Sequence, residues 1–492
     1  MIQKKHLILL LMFVVVLGAC TPTAMPTLMI TDTGGEIVDE PDDTIENLTY
    51  PTRPVYGPGE LVAYTAQTGD TLPALAARFN TSVEEIRAAN PNIPPDATTM
   101  PPGMPMEMPI YYRALWGTPY QILPDAVFIN GPDAVSFHTD QFVAQHPGWL
   151  QFYDAWAFKG TRSAAEIVDY VAINYSISPK ILLALLEYQA GAFSAATLSQ
   201  VDEYNVLGLP SHYWTGVYLQ LSYAANILND GYYRWRQGTL IEFELDDGSL
   251  FRPDPWQDAA TVALQYFFAQ TLSVEEFYGA IGPEGFILTY TRLFGDPWTT
   301  EPHIEGSLRQ PEMQLPYEND VPWMFTGGPH TSWGNMEPWS ALDFAPPLME
   351  HGCSPTSVPT VAVADGVVVR DGEGVLALDL DGDGDERTGW VVFYLHIAEA
   401  GRVLVGTVVE AGDPLGYPSC EGGHSTGTHI HIARKYNGEW MIADGVIPFD
   451  LDGWQPLRGT EPYEGYLVKD DVLIIANTNP DNRSAIPVET GE

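Results

Sequence analysis

A chain of 492 residues has room for two to four domains, each with a core of its own. Its 45% apolar and 17% charged residues suit a folded globular protein rather than a disordered one. The formal charge of −42 argues against a nucleic-acid partner, which needs a basic footprint. Residues 1–20 read as a targeting segment. Lys4, Lys5 and His6 precede an apolar run, "LILLLMFVVVLGA", that is too short for a committed membrane helix.

That segment ends in Leu17-Gly18-Ala19-Cys20, which resembles a bacterial lipobox. The resemblance implies that Cys20 is acylated and tethers the mature chain to a membrane outside the cytoplasm. Cys353 and Cys420 are then the remaining pair in an oxidising compartment, and a disulfide between them is the expectation. Residues 21–60 form an acidic, Thr/Pro-rich linker whose role is reach.

Residues 61–111 begin with an alternating strand, turn at Thr68-Gly69-Asp70 and enter a helix near Leu72. Thr81 or Ser82 can cap a second helix with Glu84 and Glu85 in its first turn. Asn90-Pro91 ends that helix, and "MPMEMPIYY" closes with a strand. This βααβ string, "YTAQTGDTLPALAARFNTSVEEIRAANPNI", resembles the LysM domain. The resemblance implies binding of N-acetylglucosamine-containing glycans along Gly69, Asp70, Thr71, Leu72, Asn92 and Ile93.

Residues 112–316 are mostly helical. Ser163 to Glu166 form a capping box, and Ser178-Pro179 open the buried run "KILLALLEYQAGAF". The order of parts resembles lysozyme-like transglycosylase domains. Gln189 stands where the resemblance calls for a glutamate, and an amide cannot protonate a glycosidic oxygen. Glu187 lies elsewhere on the helix, so a scaffold, not a lytic enzyme, is the expectation.

Residues 317–460 alternate apolar and polar between Asp-Gly and Gly-Asp turns, which predicts an antiparallel sheet. Three pieces, "SALDFAPP", "FYLHIA" and "STGTHIHIA", resemble in order the lysostaphin/LytM-type zinc endopeptidases of bacterial cell walls, with a duplicated hybrid motif-like fold. The resemblance implies one zinc ion on Asp343 and His431, with His396 and His429 as general acid/base and oxyanion partners. A hydrolytic zinc takes three protein ligands and keeps a fourth position for water. The family writes His-x-x-x-Asp, but four residues before Asp343 stands Trp339, whose indole has no lone pair for a metal. Either His330 supplies the missing ligand or the site is degenerate. His424 and His351 are weaker candidates. "DLDGDGDE" offers Asp379, Asp381 and Asp383 to calcium, but position 12 is Trp390, and an acidic hairpin turn is expected instead. Residues 461–492 read as a polar tail with one apolar strand.

These parts converge on peptidoglycan. The first expectation is a lipid-anchored zinc endopeptidase that cuts peptide cross-bridges while LysM holds the glycan. The alternative is a non-catalytic scaffold, or an activator of separate cell-wall amidases.

Overall fold

The computed structural model describes residues 53–488, apart from 115, 200–202, 210–212, 319 and 348–351. The targeting segment with Cys20, nearly all of the acidic linker, and His351 lie outside the described residues.

The βααβ string folds as its caps dictate. Strand Glu60–Thr65 pairs antiparallel with Pro105–Ile110. Thr71 caps helix Leu72–Arg78 by accepting from the Ala74 N–H. Ser82, not Thr81, caps Val83–Ala89 by accepting from Glu85, while the Thr81 hydroxyl donates to the Glu85 carboxylate at 2.6 Å. Tyr64, Leu75, Phe79, Ile86, Met106 and Met108 fill the core between them.

In the helical body the Ser163–Glu166 capping box forms and opens helix Ala164–Tyr175. Helix Pro179–Ala190 buries Ile181 through Leu186 without a break, which explains its apolar run. It stops at Gly191, whose φ of 59° is left-handed. The Glu187 carboxylate accepts from the Phe193 and Ser194 N–H groups at 2.7 and 3.2 Å, so it caps the chain beyond that stop. Helices Gly216–Gln237 and Ala259–Thr271 complete the body. Among the described residues no helix is long and apolar enough to cross a membrane.

The histidine-rich region forms an antiparallel sheet of eight strands. Its order runs Val408–Val409, Gly366–Gly372, Val375–Asp379, Trp390–Leu395, Ile430–Tyr436, Trp339–Ala345 and Met324–Thr331, with Glu439–Trp440 paired to Ile430–Tyr436. Alternation assigns the faces. Leu342, Phe344, Leu376, Leu378, Val392, Tyr394, Ile430 and Ile432 face one core. Ala341, Val375, Phe393, Leu395 and Ala433 face the other way and share a core with the helices. Each large apolar side chain buried there contributes about 1.5–3 kcal/mol relative to exposure. The helical body therefore packs on the face of the sheet that also carries Asp343 and His431.

A buried polar hub joins the parts. The Arg236 guanidinium lies 3.2 Å from both the Asp125 and Glu439 carboxylates and donates to the Thr68 carbonyl. Glu439 also accepts from the Tyr232 hydroxyl at 2.8 Å and meets His303 Nε2 at 2.6 Å. Removing one member of such a buried charge set typically costs about 3–5 kcal/mol.

Residues 461–488, set apart in the sequence as a tail, are woven into the β region. Strands Gly465–Lys469 and Val472–Ile475 join Gln455–Arg458 in a three-stranded sheet. The Ile486 N–H donates to the Trp323 carbonyl at 2.9 Å, and the Phe325 N–H to that of Ser484 at 2.8 Å. The Cys353–Cys420 disulfide is formed, with a Cα–Cα distance of 5.7 Å. Across a separation of 67 residues it is worth roughly 4 kcal/mol in the chain-entropy picture. It braces the loop before His429, where Thr428 donates its N–H to Gly352 at 3.0 Å and its hydroxyl to the Ser354 carbonyl at 2.6 Å.

Candidate metal centre

Register builds the site. Leu395 pairs with His431, His431 with Asp343, and Asp343 with Gly327, so one row crosses four strands. The Gly327-Gly328-Pro329 stretch, whose composition alone reads as a strand end, lies inside a strand. Strand Met324–Thr331 runs through it with three register shifts between Phe325 and Thr331, and these bulges re-aim His330 toward Asp343. Proline is tolerated because this strand is the last in the sheet order.

Three donor atoms meet there. His330 Nε2 is 3.0 Å from His431 Nδ1, and Asp343 Oδ1 is 3.3 and 3.2 Å from those two nitrogens. All three residues are buried. Backbone carbonyls can only accept, so they set the tautomers. His330 Nδ1–H donates to the Gly328 carbonyl at 2.8 Å, and His431 Nε2–H to that of Ser332 at 3.2 Å. In the neutral rings the two facing nitrogens then both carry lone pairs, and neither has a proton for the other. Asp343 Oδ1 is likewise buried without a well-formed hydrogen bond. Three converging lone pairs with no proton between them suit a cation. Zinc bonds of about 2.0–2.1 Å in a tetrahedron require donor separations of about 3.3 Å. The donor set fits.

Electrostatics agree. Burial pushes the Asp343 carboxyl up, but the His330, His429 and His431 rings beside it hold it well below the usual carboxylate range. Burial pushes His431 below ordinary imidazole, against the pull of Asp343. His396 is brought to about 3, by burial first and then by His429 and His431. Asp343 is thus ionised, and His396 and His431 neutral, near pH 7.

His396 and His429 stand beside this triad with ring centroids 4.5 Å apart. His396 Nδ1–H donates to the Glu421 carbonyl and His429 Nδ1–H to that of Gly427, both at 2.8 Å. In a neutral ring, this leaves Nε2 as the lone pair. His429 Nε2 lies 3.7 Å from Asp343 Oδ2, so each oxygen of Asp343 faces a different part of the site. Trp339 takes no part in the site. It pairs with Thr331, and its ring lies under the Arg458 guanidinium at 4.9 Å. His424 is exposed.

Two protein families match the chain: "LysM domain" over residues 64–109, and "LasA, N-terminal domain" over 121–307. Protease LasA of Pseudomonas aeruginosa, in two strains, is 25% and 26% identical over 353 residues, spanning 66% of this chain and 76% of each relative. The chain is thus similar to Protease LasA over two thirds of its length. Among solved structures it is similar to the deep-sea M23 metalloprotease pseudoalterin, at 22% identity over 34% of this chain and 96% of that one, TM-score 0.29. It is also similar to the catalytic domain of lysostaphin from Staphylococcus simulans, at 24% over 26% and 89%, TM-score 0.18. The stretch whose order of parts suggested a lysozyme-like body is the one matched by the LasA N-terminal domain.

The site holds residues that sequence reasoning did not find. Tyr463 stacks on His330 with centroids 4.1 Å apart, from a stretch with no motif. Gly327 faces Asp343 so closely that a Cβ there would lie 2.6 Å from Oδ2 and 2.9 Å from Cγ. Gly327→Ala is therefore expected to keep the fold but displace the carboxylate and weaken metal binding about 10–100-fold, the usual range for residues supporting a ligand. Competition titration against a zinc-sensitive dye would measure it, and an unchanged affinity would refute the close contact.

The other sequence candidates have local partners. Asp379 accepts N–H groups of Asp381, Gly382 and Gly384 at 3.1, 3.3 and 2.8 Å, and Asp383 those of Asp385 and the Thr388 hydroxyl. With Asp381 they form an acidic turn between paired strands. In LysM, Asp70 is buried, taking hydrogen bonds from Tyr64, Gln67 and Arg78, and Thr71 caps its helix. Gly69, Leu72 and Ile93 are buried and Asn92 is exposed.

Proposed function

We propose that the chain is a zinc-dependent endopeptidase that hydrolyses peptide cross-bridges of peptidoglycan while its LysM module holds the glycan strand. The observation that carries this reading is the convergence of His330 Nε2, Asp343 Oδ1 and His431 Nδ1 as three lone pairs on one point. Likeness to Protease LasA supports the reaction class. Zinc held there would supply a Lewis acid that polarises a peptide carbonyl and acidifies water.

The chain's own residues do the rest. His396 and His429, held at Nδ1 by backbone carbonyls, are suited in the neutral form for one of them to take a proton from the attacking water at Nε2. Once protonated, that ring becomes a donor for the oxyanion or the departing amine. The carbonyls of Glu421 and Gly427 hold both rings in the tautomer this needs. The placement of His330 beside Asp343 and His431 supports this reading over a degenerate site. On this reading Cys20 carries lipid and the chain works outside the cytoplasm, where the Cys353–Cys420 bridge persists. The helical body serves as a scaffold, and the acidic turn at Asp379 needs no calcium.

The test is zinc analysis of the purified chain followed by incubation with peptidoglycan. About one zinc per chain is expected, with release of new amino groups, no new reducing ends, and loss of cleavage after chelation. New reducing ends would mean glycan cleavage. No new amines from a zinc-loaded chain would favour a non-catalytic activator of separate amidases.

A further inference from the structure

The chain itself contacts the LysM turn beside Gly69 and Asp70, at Thr68, and the later part of the loop that follows Asn92 and Ile93, at Thr98 to Pro101. Residues 303–309, which lead out of the helical body, lie across both loops as a strap that turns at Gly306-Ser307. At the first loop, the Thr68 hydroxyl accepts from the Ile304 N–H at 2.9 Å and donates to the Ile304 carbonyl at 3.2 Å. At the second, the Thr99 hydroxyl accepts from the Leu308 N–H at 3.0 Å and donates to the Glu305 carbonyl at 2.6 Å. Ser307 donates its N–H to the Thr99 carbonyl at 2.8 Å, and the Thr98 hydroxyl donates to the Leu308 carbonyl at 2.6 Å. Both faces of two threonine hydroxyls are thus used by one peptide. Gly306 lies so close to Pro101 that a Cβ there would be 2.5 Å from its ring. Ile304 and Leu308 are buried, and the Arg236 guanidinium closes the space beside Gly69.

The far side of the strap holds the β region. Ile304 and Leu308 pack with Met441 and Ile447. His303 meets Glu439 in the buried hub, and its carbonyl accepts from Asn437 Nδ2 at 2.7 Å. The same residues therefore fill the LysM loops and clasp the metal-bearing domain.

We propose that residues 303–309 are a built-in occupant of the LysM groove, so that a glycan strand binds only as the strap leaves. This rests on the glycan-holding reading of LysM and adds its regulation. Linkage makes the effect reciprocal. Glycan binding loosens the clasp on the β region, and any lesion that frees the strap tightens glycan binding by the same factor.

The test uses the full chain and the N-acetylglucosamine hexamer, titrated calorimetrically. Two strap variants, Leu308→Asp and Gly306→Val, leave every LysM residue in place. Both are expected to bind the hexamer at least ten-fold more tightly than the parent. Saturating hexamer is also expected to speed hydrogen exchange at the Ile304 and Leu308 amides of the parent, a measurement independent of how the variants fold. Equal affinity in all three chains, with those amides still protected, would overturn the proposal and leave glycan binding standing elsewhere on the module. Absence of hexamer binding by every chain would instead remove the glycan reading, and the proposal with it.

Discussion

His330→Ala is expected to empty the metal centre and to lower the rate of peptidoglycan cleavage at least about a thousand-fold. The ring is buried and contributes one of the three donors that converge among the described residues, so a ring at this point cannot be replaced by solvent without rearrangement. Two donors and a loose water make a much poorer zinc site than three fixed ones. The loss also leaves Asp343 Oδ1, already without a good hydrogen bond, facing a cavity. Zinc per chain after dialysis is the readout, beside cleavage of purified peptidoglycan. A second variant sharpens the result. His330→Ala combined with Trp339→His restores a histidine four residues before Asp343, but four residues along a strand span roughly 13 Å. The double variant is expected to remain metal-free. Full zinc in either variant would show that the third ligand comes from elsewhere.

His429→Ala and His396→Ala are expected to keep zinc and lose turnover about 100- to 10,000-fold, the usual worth of a positioned acid or base. Neither ring belongs to the converging triad, yet both stand beside it, each held by a carbonyl at Nδ1. The split between metal content and rate separates them from His330. His429, whose Nε2 lies 3.7 Å from Asp343 Oδ2, also shields one carboxylate oxygen. Its removal is therefore expected to weaken zinc slightly, whereas removal of His396 is not. Zinc loss in His396→Ala, or an unaltered rate in both, would break this division of labour.

Much of the site was legible because its chemistry is compact in sequence. The His429/His431 pair, His396 after an apolar strand and Asp343 in another appear in recognisable order, and the demand for a third ligand pointed to His330. What could not be read was the path that brings His330 in. Two glycines and a proline look like the end of a strand, whereas here they are bulges on an edge strand. Tyr463 carries no pattern, since its role depends on a turn folding back over His330. The hub of Asp125, Arg236, His303 and Glu439 was equally hidden. Each is an ordinary charged or polar residue until packing brings four distant segments together. The caps and the LysM module were legible because they depend on near neighbours. The docking of the helical body was not, because alternation reveals that a strand has two apolar faces without naming what covers each.

That docking has a thermodynamic corollary. Phe393, Leu395 and Ala433 lie in one continuous core with helices Ala164–Tyr175, Pro179–Ala190 and Gly216–Gln237, one residue away in each strand from the opposite core. Neither layer can melt while the other stays native, so the body and the sheet form a single cooperative block. Damage deep in a helix would then register at the histidines as lost metal, with no signal passing between them other than a shared unfolding equilibrium.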